Sequence, residues 1–437
     1  MKKRPYQAKN VKNVDIQQIL RNREGVACDV GLDCSKDHVF VCVRWSDGSF
    51  ERPWRVAIRD LAVLISLLKK LQDGREMRVA MEPTGTYCDP IRQAFHNAEL
   101  AVYRVSPKAS HDYAEIFDGV PSQHDGKDAA CVAELSSMRK SKLWPWNLED
   151  NQIRHEIEWM DAHEQNRVRW LGRIEGMLGR HWPEASSILE LSSATLLNLL
   201  AHYGGPQGLA ADPEARGRLK KWSGGALVKK KIDQLLDSAA NTVGVRQNAA
   251  DVQQLQRFAQ EALNSRREIN QTKGRLKELT KENAVIQRMA KVVGLTTAAV
   301  LWAHLGDPGK YHCAYAYVKA MGLNLKIRSS GRWEGHLKIT KRGHSRVRRW
   351  LYFAALRYCQ DPWISPWYQK KKARGDGFAK RGLVAIMRKL ALALYYVGAK
   401  DRPFDVQAML PGAGRYVAEK TENKKPNARR NKEYARA

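Results

Sequence analysis

Acidic residues are the scarce class in this chain. Against 75 Lys and Arg stand 46 Asp and Glu, which leaves a formal net charge of +29 and a sequence pI of about 9.9. A protein this basic usually has a polyanionic partner, most often DNA or RNA. Long apolar runs are also missing. None reaches the length needed to span a bilayer, so nothing supports docking on or crossing a membrane. The N-terminus, MKKRPYQAKNVKNVD, is charged and no apolar stretch follows it, which argues against a secretory signal. Cysteine is sparse and unpatterned. The 7 residues (Cys28, Cys34, Cys42, Cys88, Cys131, Cys313 and Cys359) are odd in number, irregularly spaced and form no CxxC. They read as reduced, mostly buried thiols of a cytoplasmic protein without a zinc site. What remains is ample for folding: 437 residues, 43% hydrophobic, enough for two or three domains.

Residues 1–24 form a basic N-terminal extension. From residue 25 to 142, β-rich and helical runs alternate. GVACDVGLDCS, HVFVCVRW and SFERPWRVAI read as three successive antiparallel strands. RDLAVLISLLKKLQ is helical, EMRVAMEP a strand, YCDPIRQAFHNA a helix and ELAVYRVSP a strand. Two helices, PKASHDYAEIF and GKDAACVAELSSM, follow. That order predicts a mixed sheet with helices packed on it, as in RNase-H-like nuclease domains. Residues 143–287 are helical. Ile157, Met160, Val168, Leu171, Ile174 and Leu178 make one stripe, ended by Pro183. A polar helix over about 248–289 carries Leu255, Ala262, Ile269 and Leu276 at intervals of seven. A coiled coil is one reading, although Arg266 and Lys273 fall at core positions in one register and leave a solvated hairpin open. Residues 288–412 make a second compact, mostly helical unit, and 413–437 read as a disordered basic tail.

Four acids stand out within this frame. Asp33 sits in GLDCSKD and Glu82 in VAMEPTGTY, each closing a strand. Asp125 and Asp128 lie three apart in QHDGKDAA, so both face the same way at a helix start. Singly, each has a plainer reading: a turn residue, a strand-end charge, a helix N-cap. Together on one scaffold they favour a metal site. Carboxylates brought together repel unless a cation joins them, and hard oxygen ligands suit Mg²⁺. Such a set serves phosphodiester chemistry, in which negative charge builds on the phosphate oxygens.

A second constellation is NLKIRSSGRWEGHLKITKRGHSRVRRWLYFAAL. Ser329 and Ser330 precede Gly331 in a polar loop. Lys326, Arg328, Arg332, Lys338, Lys341, Arg342, Arg346 and Arg349 surround it and read as nucleic-acid-binding residues, with Trp333 and Trp350 available for stacking. Arg348 and Arg349 lead into a buried helix, so at least one of them is structural. A serine hydroxyl is a weak nucleophile unless activated, which a cationic pocket favours. The plainer reading is a turn whose hydroxyls bond phosphate. Upstream, VVGLTTAAVLWAHLGD is similar to half of a helix-hairpin-helix, or is simply packing within the unit.

In this order the two constellations resemble the DEDD transposases of the insertion-sequence 110 family, in particular its 1111 subgroup, with the Piv-type DNA invertases as relatives. The resemblance runs from about residue 25 to 400. GLDCSKD resembles the family's G-[IL]-D-x-S-K, MEPTGTY its E-x-T-G-x-Y, and HDGKDA its T-D-x-x-D-A. The resemblance implies catalytic, metal-binding roles for Asp33, Glu82, Asp125 and Asp128, and a nucleophilic role for Ser330. It also implies a RuvC-like N-terminal domain, a coiled-coil middle, a small C-terminal transposase domain and a bridge-RNA-guided serine recombinase. Gln123 and His124 depart from the usual Lys-Thr, Asn324 from Pro and Thr296 from Gly.

The sequence thus predicts a transposase of a mobile element, bacterial and nucleoid-associated. It would cut and rejoin DNA under a structured guide RNA, with Mg²⁺ as cofactor and as a dimer or tetramer. The alternatives are a metal-dependent structure-specific nuclease and a non-enzymatic nucleic-acid-binding protein.

Overall fold

The computed structural model describes residues 7–83, 85–120, 124–326, 329–330, 333–334 and 338–417. They fall into two compact units that divide after Asn147.

In chain order the first unit runs β1 (Lys9–Asn10), α1 (Ile16–Leu20), β2 (Cys28–Cys34), β3 (His38–Trp45), β4 (Trp54–Ala57), α2 (Leu61–Gln72), β5 (Met77–Met81), α3 (Asp89–Asn97), β6 (Val102–Arg104), α4 (Pro107–Asp118), α5 (Asp125–Ser137) and β7 (Lys142–Leu143). The strands make one mixed sheet in the order β1-β4-β3-β2-β5-β6-β7. β2, β3 and β4 form an antiparallel meander, while β5 and β6 continue the sheet parallel to β2. The period of two in each strand decides which face a side chain joins. Cys28, Val30, Leu32 and Cys34 of β2 enter a core with Val39, Val41 and Val43 of β3. Leu64, Leu68 and Leu71 of α2 and Ile91 and Phe95 of α3 close it. The odd-numbered residues of β2 face the other way, toward α5. Residues 9–20 belong to this unit rather than forming a separate extension. β1 pairs with β4, and Val11 and Ile16 are buried in the same core.

Among the described residues the second unit is mainly helical, with four two-residue strands. Its helices are α6 (Leu148–His181), α7 (Ala185–Ile188), α8 (Ala194–Tyr203), α9 (Pro206–Ala211), α10 (Ala215–Trp222), α11 (Lys229–Ala240), α12 (Ala249–Thr280), α13 (Ala284–Val293), α14 (Leu295–Leu305) and α15 (Ala314–Ala320). Strands β8 (Leu325–Lys326), β9 (Ser329–Ser330), β10 (Trp333–Glu334) and β11 (Lys338–Ile339) come next. Then follow α16 (Ser345–Tyr358), α17 (Ser365–Lys372), α18 (Phe378–Lys400) and α19 (Val406–Met409). The long helices α6 and α12 lie against each other, and Leu255, Ala262, Ile269 and Leu276 are all buried. Arg266 stays exposed and donates to the Ser192 carbonyl, so the polar residue at the would-be core position costs no buried charge. The expected single helix over 248–289 is two, because the Asn283 side chain caps the Ile286 amide and starts α13.

The α6–α12 pair carries a separate core at each end. Ile174 and Leu178 pack with α8, α10 and α11. Ile153 and Ile157 pack with α13 to α18. Val168 lies between the two and is 62% exposed, which is why the predicted stripe is interrupted there. Among the described residues one helix, α18, is long and apolar enough to cross a bilayer by length and composition alone, and 56% of its most apolar stretch is buried within the fold, as in a core helix. Residues up to Tyr416 extend this unit, with Ala413 buried and Tyr416 beside the Lys370 ammonium. The rest of the predicted tail, 418–437, lies outside the described residues.

Candidate active site

Register brings the first two acids together. β2 and β5 run parallel, with Leu32 opposite Met81. Asp33 and Glu82 each come one residue later, so they occupy neighbouring positions at the C-terminal ends of adjacent parallel strands. Side chains on adjacent strands at one register position share a face. Here it is the face covered by α5.

α5 delivers the other two acids. It runs antiparallel to β2 across the odd-numbered face, and three contacts fix it there. The Ser136 hydroxyl donates to the Asp29 carboxylate at 2.6 Å. Gly31 sits directly beneath the backbone of Ala129 and Ala133, with no room for a Cβ atom. Glu134 pairs with Arg44 of β3. From Ser136 back to Asp128 the helix travels about 12 Å. From Asp29 forward to Asp33 the strand travels about 13 Å. The matching lengths set the first turn of α5 over the end of β2, where Asp33 and Glu82 stand.

The start of α5 is defined by His124, not by an acid. Its Nδ1 accepts the Lys127 amide at 3.1 Å, the N-cap bond that Thr or Ser would ordinarily supply. Asp125, expected as a possible cap, is instead the first helical residue and remains exposed, while Asp128 is half-buried. Lys127 points elsewhere. It is fully buried, its ammonium 2.7 Å from the Asp118 carboxylate and 2.6 Å from the Val120 carbonyl, so it ties the end of α4 to the start of α5.

Asp33, Glu82 and Asp128 are all raised, Asp33 most clearly. Burial, then Asp128, Asp125 and Glu82 in turn, push the Asp33 carboxyl up to about 7. Burial also raises Asp128, with Asp125 adding to it against His124 and Lys127. Glu82 is raised by burial, drawn back by the Ser110 hydroxyl and raised further by Asp128. No cation is among the causes at Asp33. Two thiols lie beside it: Cys34, held well above its ordinary value by Cys88 and burial, and Cys88, which donates to the Glu82 carbonyl at 3.2 Å. Among the described residues no three His, Cys, Asp or Glu side chains stand close enough to ligate one ion. Mutual repulsion is a physical reason for four like charges to stand apart. By donor type alone, the four carboxylates are those that a hard divalent cation such as Mg²⁺ takes. They stand on two strand ends and one helix, and the adjoining Cys34 thiol is held in its protonated form.

The basic serine segment belongs to the second unit and folds as paired strands rather than as a polar loop. β8 pairs with β11 and β9 with β10, setting Ser330 opposite Trp333 and Ser329 opposite Glu334. Lys338, Lys341 and Arg342 are exposed and Lys326 is half-buried. Arg328 and Arg332 lie outside the described residues. Gly343 packs against the Ala320 carbonyl, and Arg348 donates to the Met321 and Gly343 carbonyls, at 3.2 and 2.7 Å. Arg348 is therefore the structural arginine of the segment. Arg346 and Arg349, expected to meet nucleic acid, are both turned toward α6. Asp161, buried there, pairs with Arg346 at 2.8 Å and with Arg349 at 3.8 Å. No sequence signal near Asp161 marks that role, since its partners are 185 and 188 positions away.

The family comparisons fall on these two places. A family model for DEDD transposases of IS110 type, described as "Transposase", matches residues 30–183. A second, described as "Transposase IS116/IS110/IS902 family", matches residues 286–369. A search of curated proteins gave no match. The first matched span contains all four acids and the second contains the serine hairpin; the chain belongs to the IS110 family of transposases, DNA-cleaving and rejoining enzymes of mobile elements.

Proposed function

We propose that this transposase cuts DNA through a covalent phosphoserine link and rejoins it, with Asp33, Glu82, Asp125 and Asp128 holding Mg²⁺ and Ser330 as the nucleophile. The observation that carries this reading is the placement of Asp33 and Glu82 at the ends of adjacent parallel strands beneath the first turn of α5, which carries Asp125 and Asp128; there burial and the neighbouring carboxylates push the half-buried Asp33 carboxyl up to about 7. Bound among these acids, Mg²⁺ supplies charge to offset what develops on the non-bridging and leaving oxygens of the phosphodiester. The Ser330 hydroxyl oxygen forms a bond to phosphorus as the phosphorus–oxygen bond to one DNA strand end breaks. The serine proton passes to that strand end, which leaves as a hydroxyl. In rejoining, a DNA hydroxyl attacks the phosphoserine and the proton returns to Ser330. Phosphodiester energy is conserved throughout, and no external energy source is needed. Lys326, Lys338, Lys341 and Arg342 supply phosphate contacts around the serine hairpin; Arg328 and Arg332 of the same segment are assigned with them.

The strand order β4-β3-β2-β5-β6, an antiparallel meander followed by two parallel strands, supports an RNase-H-like, RuvC-like reading of the first unit. The lengthwise pairing of α6 and α12 supports the coiled-coil reading of the middle. Acids and serine lie in different units, so a composite site requires docking, within one chain or between subunits of a dimer or tetramer. Selection of the DNA by a structured guide RNA rests on the family resemblance; the net charge of +29 supports only a polyanionic partner.

The test is strand transfer in Mg²⁺ by Asp33→Asn and Asp128→Asn. Each should lose activity by a factor of roughly 10³ or more while folding as well as the wild type. Full activity in either would remove the carboxylate set from the reaction.

A further inference from the structure

The strongest unassigned feature lies in the middle of the chain, on α10 and α11. Between residues 216 and 231 there are seven Lys or Arg and no Asp or Glu. Two of the seven are already paired: Arg216 with Asp233 at 2.5 Å, and Arg218 with Asp212 and Glu214 at 3.0 and 2.9 Å. The other five, Lys220, Lys221, Lys229, Lys230 and Lys231, are all exposed and have no ion pair among the described residues. Lys220 and Lys221 end α10. Lys229 to Lys231 open α11, and the two clusters flank a loop turned by Gly224 and Gly225, both at positive φ. Asp233 and Asp237 lie beside Lys229 and Lys230 without forming an ion pair with them. Asp233 is taken by Arg216, and Asp237 accepts from Asn241 at 3.0 Å.

This arrangement does not stabilise the fold. Like charges crowd one another, and three lysines in the first turn of α11 oppose the helix dipole at a cost of a few tenths of a kcal/mol each. The nearest aromatic residue, Trp222, is half-buried and makes edge-type ring contacts with His202 and Tyr203. Lysines are point charges suited to phosphates without reading bases. A polyanion read by its backbone alone matches this surface.

We propose that the α10–α11 lysines are a second DNA-binding surface, taking the phosphate backbone of duplex DNA that flanks the cleavage site. The proposal goes beyond the catalytic reading but rests on it for DNA as the substrate. The surface lies on the core at the Ile174 end of α6, whereas the serine hairpin leads into α16, which packs on the core at the Ile157 end. These two positions are seventeen residues apart along α6. At 1.5 Å per residue that is about 25 Å. At 3.4 Å per base pair the same distance covers roughly eight base pairs of duplex. A flank on the order of eight base pairs is therefore the length at which the lysines should begin to act.

The experiment uses the full-length protein, wild type and a variant with all five lysines changed to Gln, in binding titrations over a salt series. The duplexes carry flanks of four, eight and sixteen base pairs beyond the cleavage point. Each neutralised phosphate contributes about 0.9 to the log–log salt slope. The wild type should gain about two to four units of slope, and roughly tenfold or more in affinity at 0.15 M salt, between the shortest and longest flank. The Lys→Gln variant should show no such gain, and a variant with the same five residues changed to Arg should restore it. Cleavage of the short-flank duplex should be equal in all three proteins. A Lys→Gln variant that keeps the wild-type gain would overturn the proposal. So would a loss seen with structured RNA but not with duplex DNA. Failure of the catalytic reading is separately visible, as cleavage by Asp33→Asn, and leaves the slope comparison intact.

Discussion

Gly31 and Ala129 approach each other more closely than any other residue at position 31 would allow. A Cβ atom there would stand 2.1 Å from the Ala129 carbonyl oxygen and 2.3 Å from the Ala133 amide nitrogen, both backbone atoms of α5. Two of the four acids reach the site only because this helix lies flat on β2. Gly31→Ala should force the helix outward and carry Asp125 and Asp128 with it. Overpacking of this kind costs about 1–3 kcal/mol in stability. A displacement of about 1 Å at a reacting centre costs on the order of 100-fold in rate. Thermal unfolding and strand transfer of Gly31→Ala measure both. Wild-type values in both would mean that α5 has slack.

The Asp33 carboxyl predicts a pH dependence with a definite sign. It holds its proton up to about 7 in the fold and to 3.8 ordinarily. The folded state therefore binds the proton more tightly than the unfolded one. The associated stability is fully present below about pH 4 and is lost as pH rises through 7. With a chelator present, wild type should lose stability relative to Asp33→Asn across that window, and added Mg²⁺ should reverse the loss. Denaturant titrations at pH 4.5, 6 and 7.5 read it. A constant difference between the two proteins would contradict the account of the site.

Asp161 joins α6 to the first turn of α16 through Arg346 and Arg349. Asp161→Ala removes the buried partner of both arginines and should cost about 1–3 kcal/mol. The two guanidiniums are 36% and 47% exposed and can rehydrate, so binding of duplex DNA should hold or tighten. Parallel unfolding and binding curves separate these effects. Weaker DNA binding at unchanged stability would mean that Asp161 serves the ligand rather than the fold.

Lys338, Lys341 and Arg342 are exposed beside the serine hairpin. Replacing all three with Gln should lower the log–log salt slope of binding to a short duplex by about one unit for each phosphate that is no longer neutralised. An unchanged slope would place the substrate on another surface.

Some of this was legible in the sequence and some was not, for physical reasons. The strands of the first unit follow their period of two, so Asp33 and Glu82 could be set at strand ends from the chain alone. That Leu32 pairs with Met81, and so brings those ends side by side, depends on sheet order. Nothing in the local sequence singles out Gly31, because its role depends on a helix about a hundred residues later. His124 was read as a departure from the family pattern, yet its ring nitrogen supplies the cap. Arg346 and Arg349 were read as phosphate ligands because local sequence counts charge and cannot show the distant carboxylate that takes it. The lysines of α10 and α11 carried no motif, and their meaning emerges only once their neighbours are seen to be paired elsewhere.

The phosphoserine mechanism is tested most directly by one measurement: a denaturing gel of a suicide DNA substrate incubated in Mg²⁺ with wild type, Ser329→Ala and Ser330→Ala. The wild type should give a protein–DNA adduct that survives denaturation and disappears with protease. Ser330→Ala should give neither adduct nor strand exchange, and Ser329→Ala should retain both at reduced level. Clean cleavage by Ser330→Ala, with free DNA ends and no adduct in the wild type, would contradict the phosphoserine mechanism and assign the attack to water.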